Sequence, residues 1–289
     1  MQWCFNQITA GRQAPDDPAR DLAAMREGGW RAIELWLRHW DGFIEREGTE
    51  AARRRLDDAG LTAAGACAQG GLFFSSGEER QRYRDELARR LEQCQALGAP
   101  HLVITPGAPR APAGEAPRRP AAGDLKVAAD NLRTAGDLAA RYGVRLGIEF
   151  LKGAWFVNNL PTVLLLARQV DHPQVGVVVD TFHLYAGLSK VEDLDLLKDA
   201  PGRLFFVHAN DVPATTPREL WTDADRVLPG EGAFPLGAMF DGLRRAGYSG
   251  FVSLELFNDT FADRWADDPV AASRLACERA TQALPEAPR

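Results

Sequence analysis

Four apolar segments in the second half of the chain each carry one residue able to bind a metal or move a proton. They are Glu149 in RLGIEF, Asp180 in VGVVVD, His208 in LFFVHAN and Glu255 in FVSLELF. Segments this rich in Val, Leu, Ile and Phe read as strands, whose successive side chains point to opposite faces. Leu146, Ile148 and Phe150 then share one face, with Arg145, Gly147 and Glu149 on the other. The same alternation sets Val175, Val177 and Val179 against Gly176, Val178 and Asp180. It sets Phe205 and Val207 against His208, and Val252, Leu254 and Leu256 against Ser253 and Glu255. Taken singly, each polar residue has a plain explanation. Asp180 before Thr181 could cap a helix, a lone carboxylate could pair with Arg145 or a tyrosine, and a lone histidine is often just a satisfied polar residue. Jointly those explanations fail, because three carboxylates converging in low dielectric repel one another unless a cation lies between them. One divalent metal ion held by Glu149, Asp180, His208 and Glu255 resolves the conflict. Three oxygen donors and one imidazole nitrogen suit Mn²⁺, Co²⁺, Mg²⁺ or a catalytic Zn²⁺.

Convergence requires an architecture that brings four strand ends together. Eight apolar runs are spaced along the chain, at 3–8, 32–37, 61–67, 101–106, 145–150, 175–180, 204–210 and 251–257. Amphipathic stretches separate most of them, and several of these stretches end in glycine, the expected helix stop. Eight β-α units in this length predict an α/β fold, a single-domain (β/α)8 TIM barrel over residues 1–289. A doubly wound sheet would place a glycine-rich phosphate turn after the first strand, whereas TAGRQAPDDP follows it. In a barrel, the ends of strands five to eight meet at one mouth. Two connections at that mouth are long. Residues 107–123 read as a Pro-rich insertion without fixed structure, and DVPATTPRELWTDADRVLPGEG reads as an ordered rim carrying Trp221 and Arg226.

Composition narrows the partners. The 289 residues carry a formal charge of −6 and a pI near 5.5, the wrong sign for a nucleic-acid or anionic-membrane partner. Cys4, Cys67, Cys94 and Cys277 are widely spaced and form no C-x-x-C pair, which reads as free thiols in a reducing compartment. With neither a secretory leader pattern nor a membrane-length apolar run, the expected location is the cytoplasm. Association into a homo-oligomer is left open.

A metal at such a mouth suits a small keto-sugar or keto-polyol, whose carbonyl and neighbouring hydroxyl can chelate one ion. Glu149 and Glu255 would then be the proton-transfer pair, one on each side of a metal-stabilised enediolate, with Asp180 and His208 as ligands only. His183 cannot share the strand face of Asp180. It reads as a loop residue above the metal, either donating to a substrate hydroxyl or simply solvated. Arg226 and Lys152 could bind hydroxyl or enediolate oxygens, Lys152 being equally readable as a solvated loop charge. The loop after the eighth run, NDTFADRW, is no glycine-rich phosphate cradle, so an unphosphorylated substrate is expected.

The succession GIEF, VVVDTFHLY, FVHANDV, DADRVLPGEG and SLELF resembles the xylose-isomerase-like barrels, the sugar isomerase/epimerase group. The likeness runs from CFNQIT through GLFFSSGEER and WTDADR, and is strongest from residue 145 onward. It implies that Glu149, Asp180, His208 and Glu255 bind the divalent metal and that His183 and Arg226 contact substrate. It also implies isomerisation or epimerisation of a keto-sugar or keto-inositol. The 107–123 segment and KGAWFVNN depart from the pattern of that group. A lyase or dehydratase acting through the same enediolate on a keto-sugar or keto-glycoside is the alternative. An endonuclease IV-like DNA repair enzyme, which shares the barrel, fits poorly with an acidic chain holding five histidines.

Overall fold

In the computed structural model, which describes residues 1–108, 118–215 and 217–284, eight parallel strands close into a barrel in chain order. β1 is Gln2–Asn6, β2 Ala32–Trp36, β3 Thr62–Gln69 and β4 His101–Ile104. β5 is Arg145–Glu149, β6 Val175–Asp180, β7 Leu204–Ala209 and β8 Phe251–Leu254. β1 pairs with β8 to complete the ring, so the barrel expected from the strand–helix alternation is the one that forms. Helices such as Gly77–Leu97, Ala122–Arg141 and Leu236–Arg245 return the chain over the outside. The first of these stops at Gly98, whose φ of 77° opens the left-handed conformation and lets its N–H reach the carbonyls of Cys94 and Gln95.

The strand pattern builds two cores. Val175, Val177, Val179, Leu146 and Ile148 pack outward against the helices. Inside the barrel sit mainly small side chains (Cys4, Ala64, Cys67, Val103, Val178) together with Phe206. Space there is tight: a Cβ at Gly147 would lie 2.6 Å from a methyl of Val178. Glycine two residues before Glu149 is therefore a packing requirement rather than a flexible point.

Phe205 departs from simple alternation. The β6–β7 register jumps from Val177–Leu204 to Val178–Phe206, leaving Phe205 as the extra residue of a bulge. Its ring does not join the outer core. It stacks on His101 with centroids 6.0 Å apart and lies 4.8 Å from the Arg145 guanidinium.

Residues 109–117 of the proline-rich 107–123 segment lie outside the described residues. Its far end corrects the boundary drawn from composition, since Ala122 and Gly123 already belong to the helix Ala122–Arg141. Asp124 anchors that helix start, accepting the Ala121 N–H at 2.6 Å and pairing with Arg118. The 211–232 connection is held by Asp211, whose carboxylate accepts N–H groups of Val212, Gly230 and Phe234. An antiparallel bridge between Asp211 and Val227 folds it back across the mouth. Among the described residues no helix is long and apolar enough to cross a membrane, and all four cysteines are free thiols.

Candidate metal centre and active site

β5, β6, β7 and β8 deliver Glu149, Asp180, His208 and Glu255 to one point. One ligand atom from each lies within 4.8 Å of the others, and all four residues are buried. Asp180 and His208 are directly paired in the β6–β7 register. Glu255 lies one residue past the end of β8 and is held by its backbone N–H to the Ala209 carbonyl at 3.2 Å. The Nδ1 edge of His208 faces the three carboxylates, 2.8 Å from Glu149, 3.3 Å from Glu255 and 3.9 Å from Asp180.

Asp180 caps a helix with one oxygen and faces the cluster with the other. Its Oδ1 accepts the His183 N–H at 3.0 Å and caps the helix Thr181–Ala186. Its Oδ2 stays on the cluster side, 2.9 Å from Arg226. His183 is therefore a buried helix residue and not the loop residue expected. Its Nδ1 lies 3.2 Å from the Lys152 N–H and its Nε2 3.2 Å from Arg226 Nη2, so donors face both ring nitrogens. Burial lowers the His183 pKa, and nearby Arg226 adds to that while Asp180 opposes it, so the neutral form prevails.

Arg226 comes from the 211–232 rim and is 1% exposed. Its Nη1 donates to Glu255 at 2.7 Å and to Asp180 at 2.9 Å, and its other nitrogens engage Asp223. Lys152 lines the cavity above the cluster and is no free solvated charge. Its ammonium donates to the backbone carbonyls of Arg218, Glu219 and Trp221 at 3.2, 3.2 and 2.7 Å. Three donors and three acceptors leave it as a tie between two loops, because a 3-10 turn ends with its carbonyls aimed at that ammonium.

Glu34 on β2 was missed from the sequence. It is fully buried, with Oε1 3.1 Å from His208 Nε2 and Oε2 accepting from Asn6 Nδ2 at 2.8 Å. The signal was present: in AIELWL, alternation turns Ile33 and Leu35 outward and Glu34 inward. Glu34 differs from the other four in sitting mid-strand, away from the strand end where the mouth lies.

The donor set fits a divalent cation. Four buried carboxylates (Glu34, Glu149, Asp180, Glu255) face one buried arginine and one histidine. With all four carboxylates ionised and His208 protonated, two negative charges are uncompensated, the charge one such ion supplies. Burial opposes protonation of His208, yet Glu255, Glu34 and Glu149 outweigh it and hold its pKa well above the usual range. Burial raises the Glu149 pKa, with His208 working against the rise. Burial would raise Glu255 as well, but His208 and Arg226 prevail and depress it.

These directions fix a pH dependence. His208 and Glu149 both bind a proton more tightly folded than unfolded. What they contribute to the metal-free fold is complete in acid and is lost as pH rises through the folded-state values. Metal ligation needs both groups without that proton. The rise in melting temperature on adding Mn²⁺ or Zn²⁺ should therefore be several-fold larger at about pH 8 than at about pH 5. Equal gains at the two pH values, read by calorimetry, would contradict this.

Above the cluster opens a cavity of about 1100 Å³. Glu149, Glu255, His183 and Arg226 reach its surface, while Asp180 and His208 lie beneath it. Trp36, Trp155, Phe182, Trp221 and Phe257 supply apolar walls. A family model described as xylose isomerase-like TIM barrel matches residues 22–279. The chain belongs to this family.

Known proteins resemble most of its length. An inosose isomerase of Bacillus velezensis is 29% identical over 283 residues, 96% of each chain. A 3-dehydroshikimate dehydratase of Pseudomonas putida is 33% identical over 183 residues, 63% of this chain but only 27% of that protein. A solved structure of IOLI protein with a binding zinc atom superposes with a TM-score of 0.84 at 24% identity, covering 98% of both chains. That likeness establishes the shared fold.

Proposed function

We propose that the chain is a divalent-metal-dependent isomerase or epimerase of an unphosphorylated keto-sugar or keto-inositol. The observation that carries this reading is a division within the cluster. Of the four candidate ligands, only Glu149 and Glu255 line the cavity, whereas Asp180 and His208 are sealed beneath it. Two of the residues can thus touch a substrate carbon, and two can only hold an ion. When bound, a divalent ion polarises a ketone carbonyl and acidifies the neighbouring C–H. The chain's own residues do the rest. Glu255, held ionised by His208 and Arg226, takes the proton from the carbon next to the carbonyl. Glu149, which also reaches the cavity, is the second carboxylate of the pair, placed to return a proton to carbon. Arg226 and His183 orient the substrate oxygens, and the aromatic walls cover its C–H faces and exclude water.

The full-length likeness to inosose isomerases supports a cyclic keto-polyol as the first substrate to try. Free buried thiols and the absence among the described residues of a membrane-length apolar helix agree with a cytoplasmic enzyme. A lyase reading has its own support in the dehydratase likeness over residues of this barrel, although the chain spans about a quarter of that relative. The experiment is proton NMR of 2-keto-myo-inositol and open-chain ketoses in D₂O with Mn²⁺- or Zn²⁺-loaded protein. Deuterium entering the carbon beside the carbonyl without loss of water supports isomerase chemistry. Elimination product supports the lyase, and no exchange with any ketose sinks both.

A further inference from the structure

One buried carboxylate has no part in the proton transfers. Glu34 lies on the side of the His208 ring opposite the other three carboxylates, its Oε1 3.1 Å from Nε2. Its Oε2 accepts from Asn6 Nδ2 at 2.8 Å, and the same nitrogen reaches Oε1 of Glu255 at 3.1 Å. The Asn6 amide cannot turn over freely, because its Oδ1 accepts the Ile8 N–H at 3.1 Å. Asn6 must therefore present its donors to both carboxylates. An imidazole that offers Nδ1 to a cation carries its proton on Nε2, and in this fully buried ring that N–H needs an acceptor.

We propose that Glu34 is a positioning residue for the metal centre. It accepts the Nε2–H of His208, fixes the tautomer that leaves Nδ1 free for the cation, and through Asn6 holds Glu255 in the same frame. This rests on the metal reading above. Carboxylates behind metal-bound histidines set ring orientation and basicity, and removing one typically weakens metal binding on the order of 10- to 100-fold. Glu34→Gln conserves shape and isolates the effect. Its amide N must face either His208 Nε2–H or Asn6 Nδ2, so one donor always meets another donor.

The test uses Zn²⁺ as the probe, titrated against a competing chelator, with the chain labelled by ¹⁵N-histidine. In the wild type, Zn²⁺ binds, and His208 shows a protonated Nε2 and a metal-shifted Nδ1 in long-range ¹H–¹⁵N spectra. In Glu34→Gln the Zn²⁺ affinity falls on the order of 10- to 100-fold, while circular dichroism of the metal-free protein shows an intact fold. If Glu34→Gln fails to fold, Glu34→Asp, which withdraws the carboxylate by one methylene, carries the same expectation. A wild type that takes up no Zn²⁺ overturns the metal reading and this inference with it. A folded variant that binds Zn²⁺ as tightly as the wild type, or a His208 ring metallated through Nε2, overturns the inference alone.

Discussion

Glu255→Gln lowers the rate of deuterium exchange at the carbon beside a ketone carbonyl by about 10²- to 10⁴-fold, the usual worth of a positioned general base. The substitution keeps the size of the side chain and its place beside Arg226, which now lies 2.7 Å from Oε2. It leaves one oxygen, able to accept either from Arg226 or from Asn6, which reaches Oε1 at 3.1 Å. What it removes is the ability to take a proton, together with one of those two contacts. The loss therefore persists when enough Mn²⁺ or Zn²⁺ is added to refill the site, and it falls on kcat more than on KM. The measurement is exchange by NMR at saturating metal, with metal content determined on the same sample. Exchange at the wild-type rate would remove Glu255 from the chemistry and leave it a ligand alone.

Asp180→Asn acts on occupancy. At a metal concentration 1,000 times the wild-type Kd, binding stabilises the fold by about 4 kcal/mol. If the substitution weakens binding about 100-fold, that gain falls to about 1.4 kcal/mol at the same metal concentration. The amide still carries an oxygen able to cap the Thr181–Ala186 helix as Oδ1 does now, so the local fold at His183 persists. Denaturant titrations of both proteins, with and without metal, read the two gains directly. A variant whose metal-induced stabilisation equals that of the wild type would mean that Asp180 serves Arg226 and the helix cap and is no ligand.

Glu149, Asp180, His208 and Glu255 were legible from the sequence because each sits in a strand or just past the end of one, and a pleated backbone fixes alternate faces from local pattern alone. Val175, Val177 and Val179 could only be the outward face of β6, which left Asp180 inward. Eight such strands with intervening helices also announced the barrel, since few other folds use that many parallel units. Glu34 and Asn6 obey the same rule, yet the rule says only that they point inward. That Glu34 meets His208 depends on the stagger of β2 against β7 across the interior, which closure of the barrel sets and neither segment encodes. Phe205 left its expected face because the β6–β7 register shifts there, and register belongs to a pair of strands. Lys152 lost its expected freedom to three carbonyls some 66 to 69 residues away. Arg226 likewise reaches the cluster only because Asp211 folds the 211–232 rim back over the mouth. The sequence by itself determined which faces carry the chemistry, because side-chain direction in a strand is a local property of the backbone. Only the tertiary structure decided which of those groups touch, because contacts across a closed barrel are set by how all eight strands tilt and stagger together.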